Sequence, residues 1–97
     1  MASYPFDTQR LIEICRKNDV ATAGVFGSMA RGVSGADSDV DLLVRFSKRT
    51  SLLALVRFER ELSEALGRRV DVLTEAALSP YLRDRIMKET QVVYEEG

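Results

Sequence analysis

Histidine is absent from the 97 residues, which removes imidazole as a general base, a metal ligand or a member of a nucleophilic triad. Any chemistry must therefore use carboxylates, hydroxyls, lysine, arginine or tyrosine. Cysteine occurs once, as Cys15, so no intramolecular disulfide can form. No apolar run approaches the roughly 20 residues of a membrane-spanning helix, and the opening MASYPFDTQR lacks the basic-then-apolar order of an export signal. A cytoplasmic protein without membrane contact is the expectation. Positive charge is not in excess either, with 14 Lys and Arg against 15 Asp and Glu for a net −1. That balance supplies no field for binding by counterion release, and direct nucleic-acid binding is not expected.

Proline is scarce, with two residues near helix starts, and no repeat, low-complexity tract or Pro/Gly/Ser-rich linker divides the chain. With 45% hydrophobic residues, residues 1–97 suit one domain, since a chain of this size buries roughly 60 to 70% of its extended surface. Asp7 or Thr8 can cap a first helix on which Leu11, Ile14 and Cys15 share a face, making Cys15 a buried small hydrophobe rather than a reactive thiol. A short strand from Ala21 to Phe26 follows, then a brief helix from Ser28 to Arg31 closed by Gly32, and a small-residue loop to Ser38. The second strand spans Asp39 to Phe46. Its period-two alternation sets Val40, Leu42, Val44 and Phe46 on one side and Asp39, Asp41, Leu43 and Arg45 on the other.

Thr50 or Ser51 can cap the longest helix, which ends at Gly67. Leu52, Leu55, Phe58, Leu62, Ala65 and Leu66 form its apolar stripe, with Arg57–Glu61 and Arg60–Glu64 as i,i+4 pairs opposite. Leu53 and Val56 lie off the stripe, as ordinary exposed residues or the edge of a partner surface. A third strand over Arg68–Thr74, a helix capped by Ser79 with Pro80 at its first position, and a fourth strand over Gln91–Glu95 complete the order. The class is α/β (α+β), a small sheet of about four strands flanked by helices. Strand directions are not fixed by pattern, and the short connection into the second strand permits a mixed sheet.

Asp39 and Asp41, at i and i+2 on a strand, stand about 6 to 7 Å apart at the backbone and project from one face. Together they can chelate Mg²⁺, and Asp71, flanked by Val70 and Val72 where an uncompensated carboxylate is costly, is the candidate third ligand. The run Asp37-Ser38-Asp39-Val40-Asp41 also mimics the start of an EF-hand loop. That reading fails because Leu42 stands where the loop needs glycine and Lys48 where it needs a bidentate glutamate. Gly27 allows close backbone approach and Ser28 offers a hydroxyl to phosphate oxygens. Alone, Gly-Ser is an ordinary turn; at the end of a buried strand, ten residues before Asp-x-Asp, it is specific. Arg31 either clamps a phosphate or braces the loop against a carboxylate.

These residues resemble the nucleotidyltransferase motif of the DNA polymerase beta superfamily, and most closely the minimal nucleotidyltransferases. The matching features are Gly27-Ser28, the ten residues Met29 to Ser38, Asp39-Val40-Asp41, the Ala30-Arg31-Gly32 that follows the serine, Ser38 before the first aspartate, and Asp71 within RRVDVLT. The closing LRDRIMKETQVVY is similar to the family's terminal helix and strand, so the likeness covers nearly the whole chain.

The resemblance implies a polymerase beta-like fold and metal binding by Asp39, Asp41 and Asp71, with two Mg²⁺ ions and Asp71 nearest the acceptor hydroxyl. Gly27, Ser28, Arg31 and Ser38 would contact the nucleotide, with ATP as the substrate. It further implies an antitoxin that adenylylates a tyrosine of a HEPN-domain toxin, because the acceptor is expected to bring its own surface where larger relatives carry a further domain. Leu53, Val56 and the region of Tyr94 are the candidate docking points. A module that masks its partner without turnover and a small-molecule transferase of aminoglycoside type are the alternatives. The sequence leaves oligomeric state and base preference open.

Overall fold

The computed structural model describes residues 4–32 and 39–96. Four helices and four strands alternate: α1 (Thr8–Lys17), β1 (Val20–Phe26), α2 (Ser28–Arg31), β2 (Val40–Phe46), α3 (Leu52–Leu66), β3 (Val70–Thr74), α4 (Pro80–Glu89) and β4 (Gln91–Glu95), with a 3₁₀ turn at Glu75–Ala77 before α4. The sheet order is β3-β2-β1-β4. It is mixed, with β1 antiparallel to both β2 and β4 while β2 runs parallel to β3.

The caps follow from side-chain chemistry. Asp7 accepts from the Arg10 amide, Ser51 from the Ala54 amide and Ser79 from the Tyr81 amide, each satisfying an orphan donor of a first turn. Gly67 closes α3 at φ 67°, a left-handed position that glycine takes without a Cβ clash.

One face of the sheet carries the core. Val20, Ala23 and Val25 of β1, Val40, Leu42 and Val44 of β2, and Val70 of β3 pack with Leu11, Ile14 and Cys15 of α1, Met29 of α2, and Phe58 and Leu62 of α3. The Phe58 ring meets Phe46 edge-on at 5.7 Å. Burial pushes the Cys15 thiol up to about 12, consistent with a packing role.

Three expectations change. The α3 stripe does not extend to its first turn, because Leu52 is 76% exposed alongside Leu53 and Val56; Leu52 and Leu55 line an open groove with Val44, Phe46 and Thr74. Glu61 pairs with Lys17 and Asn18 across the α1–α3 contact rather than with Arg57, since the neighbouring helix brings a cation within reach of a side chain that periodicity assigned to solvent. Helix α4 has no buried residue. Tyr94, by contrast, packs partly buried against the core, which removes it from the free surface.

The outer edge of β3 is not left open. The Val72 N–H donates to Glu59 Oε2 at 2.8 Å and the Val70 N–H to Ser63 Oγ at 3.0 Å, so α3 supplies the acceptors that a further strand would otherwise provide. Replacing Glu59 by alanine leaves the Val72 amide without its charged partner. E59A is expected to lower unfolding free energy by about 1 to 2 kcal/mol, read as a reduced urea midpoint at unchanged slope, with S63A losing less. An unchanged E59A midpoint would show that the edge amide is equally well served by water.

Candidate active site

The face of the sheet opposite the core holds two of the three predicted carboxylates, Asp41 and Asp71. Because Val40, Leu42 and Val44 point into the core, period two sends Asp41, Leu43 and Arg45 the other way. The parallel register pairs Asp41 directly with Asp71, and opposed residues of a ladder share a face. Asp39 precedes the strand and is exposed. Arg69 Nε reaches Asp71 Oδ1 at 3.3 Å, and the Asp71 side chain remains 44% exposed, reachable from solvent.

The turn after β1 lies against the same carboxylates. Phe26 pairs with Asp41 in the antiparallel register, and the next residue, Gly27, adopts φ 73°, ψ −149°. A Cβ at Gly27 would collide with the Asp41 carboxylate. The positive φ demands glycine there, and Ser28 follows as the first residue of α2. Gly27 and Ser28, expected to hold phosphate, are thus beside Asp41. Arg31 takes the bracing arrangement, its Nη1 donating to Glu89 Oε2 at 3.2 Å. Ser38 lies outside the described residues, as does Asp37.

Glu89 is the site residue that sequence reasoning missed. Its Oε1 accepts from the Gly27 N–H at 2.9 Å while Oε2 takes Arg31. Nothing in a lone glutamate at the end of a helix, 62 residues from Gly27, signals that contact. A groove of about 650 Å³ opens elsewhere, lined by Val44–Phe46, Lys48, Leu52, Thr74 and Arg83 among others, and contains none of the predicted site residues.

Crowding of like charge marks the carboxylate set. The Asp41 carboxyl is held above its ordinary range, first by burial, then by Asp71 and Asp39, with Glu89 adding slightly and Arg31 opposing. Among the described residues, no three His, Cys, Asp or Glu side chains are already gathered as a metal cage. In kind, however, the donors fit a divalent cation. They are all carboxylate oxygens, the chemistry hard ions such as Mg²⁺ prefer, and the mutual repulsion that raises Asp41 is what such an ion relieves.

Because the folded state holds the Asp41 proton more tightly than the unfolded chain does, this group contributes most to stability below its unfolded value. That contribution is lost as pH rises through the higher folded value. D41N is therefore expected to raise the metal-free melting temperature at neutral pH, and the wild type to gain on mild acidification relative to D41N. Thermal melts in EDTA across pH 4 to 8 (about the carboxylate range) check both. A lower D41N melting temperature at neutral pH would mean the carboxylate is net stabilising.

A family model for the nucleotidyltransferase domain matches residues 9–93. A protein from Methanocaldococcus jannaschii, provisionally named a protein adenylyltransferase, is 47% identical over 81 residues, covering 84% of this chain and 87% of the relative. The protein adenylyltransferase MntA of Thermococcus cleftensis is 39% identical over 82 residues, covering 84% of this chain and 81% of the relative. In a solved structure of a tri-AMPylated HEPN toxin from Shewanella oneidensis in complex with an MNT antitoxin, the matching chain superimposes with a TM-score of 0.72 at 19% identity, over 92% of this chain and 70% of that one. At that identity the likeness shows the fold. Motif spacing, sheet topology and family match agree, and the chain belongs to the nucleotidyltransferase domain family.

Proposed function

We propose that residues 1–97 act as one minimal nucleotidyltransferase in the cytoplasm that moves AMP from ATP to a hydroxyl of a partner protein, a tyrosine of a HEPN toxin, and so serves as its antitoxin. The observation that carries the reading is the pairing of Asp41 with Asp71 beside the Gly27-Ser28 turn. Relatives named protein adenylyltransferases at 39% and 47% identity supply the adenylyl and protein parts. The AMPylated HEPN toxin in the structural neighbour supplies the partner. Among the described residues no helix is long and apolar enough to cross a membrane.

In this reading Asp39, Asp41 and Asp71 would hold the magnesium that accompanies the triphosphate. Magnesium, when bound, neutralises the triphosphate and makes the α-phosphorus electrophilic. Gly27 admits the phosphate chain to the turn, where Ser28 donates a hydrogen bond to its oxygens, and Ser38 is assigned to the nucleotide on the motif resemblance alone. The acceptor oxygen bonds to the α-phosphorus as the bond to pyrophosphate breaks, and the hydroxyl proton passes to the Asp71 carboxylate. The exposure of the Asp71 carboxylate favours an acceptor that arrives on another macromolecule over a small compound enclosed in a cavity.

Incubation with α-labelled ATP, Mg²⁺ and a HEPN toxin is expected to place label on the toxin, with the added AMP located on tyrosine by mass spectrometry. EDTA or the double variant D39N/D41N should abolish transfer, and D71N should slow it by about a hundredfold or more. If the wild type silences the toxin without transferring label, the protein is a masking module. Transfer to a small hydroxylated compound without any protein partner would instead assign it to small-molecule modification.

A further inference from the structure

We propose that Glu89 is a positioning residue for nucleotide binding, holding the Gly27-Ser28 turn in the geometry that receives the triphosphate. The inference rests on the nucleotidyltransferase reading of that turn and adds the element that builds it. Strand pairing of β1 with β2 ends at Phe26 and Asp41, so Gly27 is the first residue beyond the ladder, in a conformation only glycine adopts readily. Among the described residues, its N–H is held by Glu89 alone.

The contact belongs to a clasp of three consecutive residues. Glu89 accepts from the Gly27 N–H and from Arg31. The Thr90 methyl lies where a side chain on Gly24 would have to go, which seats the end of α4 on β1. Gln91 Nε2 donates to the Ala30 carbonyl at 3.0 Å. Residues 89–91 therefore grip both ends of the Gly27–Arg31 segment. Thr90 is itself fixed, its hydroxyl donating to the Ile86 carbonyl at 2.6 Å.

A carboxylate beside an expected phosphate position has two readings, as a brace or as a competitor that the triphosphate must displace. The bonding pattern favours the brace. Glu89 engages Gly27 and Arg31, leaving the Ser28 hydroxyl outside the clasp, and its side chain is only 23% exposed. Removing it frees the peptide between Phe26 and Gly27 to rotate and releases Arg31 toward Asp41. Small misplacements of a binding group are costly when several donors must meet one ligand.

The test measures ATP binding in the presence of Mg²⁺ by titration calorimetry, alongside circular-dichroism melting, for wild type, E89A, E89Q, E89D and S28A. E89A is expected to weaken ATP affinity about tenfold, the loss of one charge-assisted bond, while keeping its helical signal. E89Q, whose amide oxygen still accepts from the Gly27 N–H, should recover most of that loss, whereas E89D is too short to reach and should not. In label transfer, E89A should raise the KM for ATP and retain most of the rate at saturating ATP, a split that general destabilisation does not produce. Wild-type or tighter ATP binding by E89A, with S28A weakened, overturns the proposal while leaving the site reading intact; tighter binding would identify a competitor. If neither S28A nor E89A alters binding, the phosphate reading of the turn fails and this proposal with it. Should E89A not fold, E89D decides, and wild-type affinity in E89D overturns the brace.

Discussion

The parallel register of β2 on β3 controls both faces of this molecule. With Val40 beside Val70 and Asp41 beside Asp71, a single alternation sends valines and leucine into the core and both aspartates to the opposite face. A slip of one residue would exchange the faces, pushing Asp71 toward Phe58 and Leu62 and a valine toward Asp41. The register is held from two sides. The Val40 N–H donates to the Arg69 carbonyl at 2.9 Å where the pair begins, and Glu59 and Ser63 of α3 take the outward amides of β3. Helix α3 thus buries the sheet and fixes the alignment of its edge strand through the same face.

That arrangement sustains an unfavourable cluster. Asp41 is pressed by burial and by two neighbouring aspartates, and Gly27 occupies a backbone region costly to any other residue. Burying a Val, Leu or Phe side chain is worth roughly 1.5 to 3 kcal/mol, and fully buried members of the core, among them Val40, Leu42, Val44, Phe58, Leu62 and Val70, lie just across the sheet. The repulsion is therefore concentrated on one face while the stabilisation sits on the other. In such a layout carboxylates can remain crowded without unfolding the strand that bears them.

Much of this was legible in the chain. Period two in VDLLVRF placed Asp41 opposite the core, Ser79 and the pairs Asp7 or Thr8 and Thr50 or Ser51 marked helix starts, of which Asp7 and Ser51 cap, and Gly27-Ser28 marked the turn. The partnership of Asp41 with Asp71 was legible only as a candidate, because strand direction and register are tertiary facts that no local pattern encodes. Leu52 misled for a related reason. Helical periodicity says which residues share a stripe but not how much of that stripe a neighbouring element covers. Glu61, assigned to Arg57 by helical spacing, and Glu89, marked by no pattern, escaped for a third, since a distant helix or turn supplies their partners. The comparisons confirm the family and the fold; the individual site residues rest on geometry and motif.

Helix α4 shows why the missing part of the site had to be polar. It has no buried residue, and Tyr81, Leu82 and Met87 are exposed along it, so apolar burial contributes little to its placement. Its end is fixed by directional bonds, Glu89 to Gly27 and Arg31 and, just beyond, Gln91 to Ala30. Hydrophobic packing is tolerant of small shifts because it is non-directional, whereas a hydrogen bond weakens steeply when its angle closes. A helix located by such bonds can hold a glycine turn to a defined angle beside Asp41, which a helix merely packed on the sheet would leave loose. The hydrophobic pattern builds the strand that carries the carboxylates, and a few polar contacts from the end of the chain set the turn that faces them.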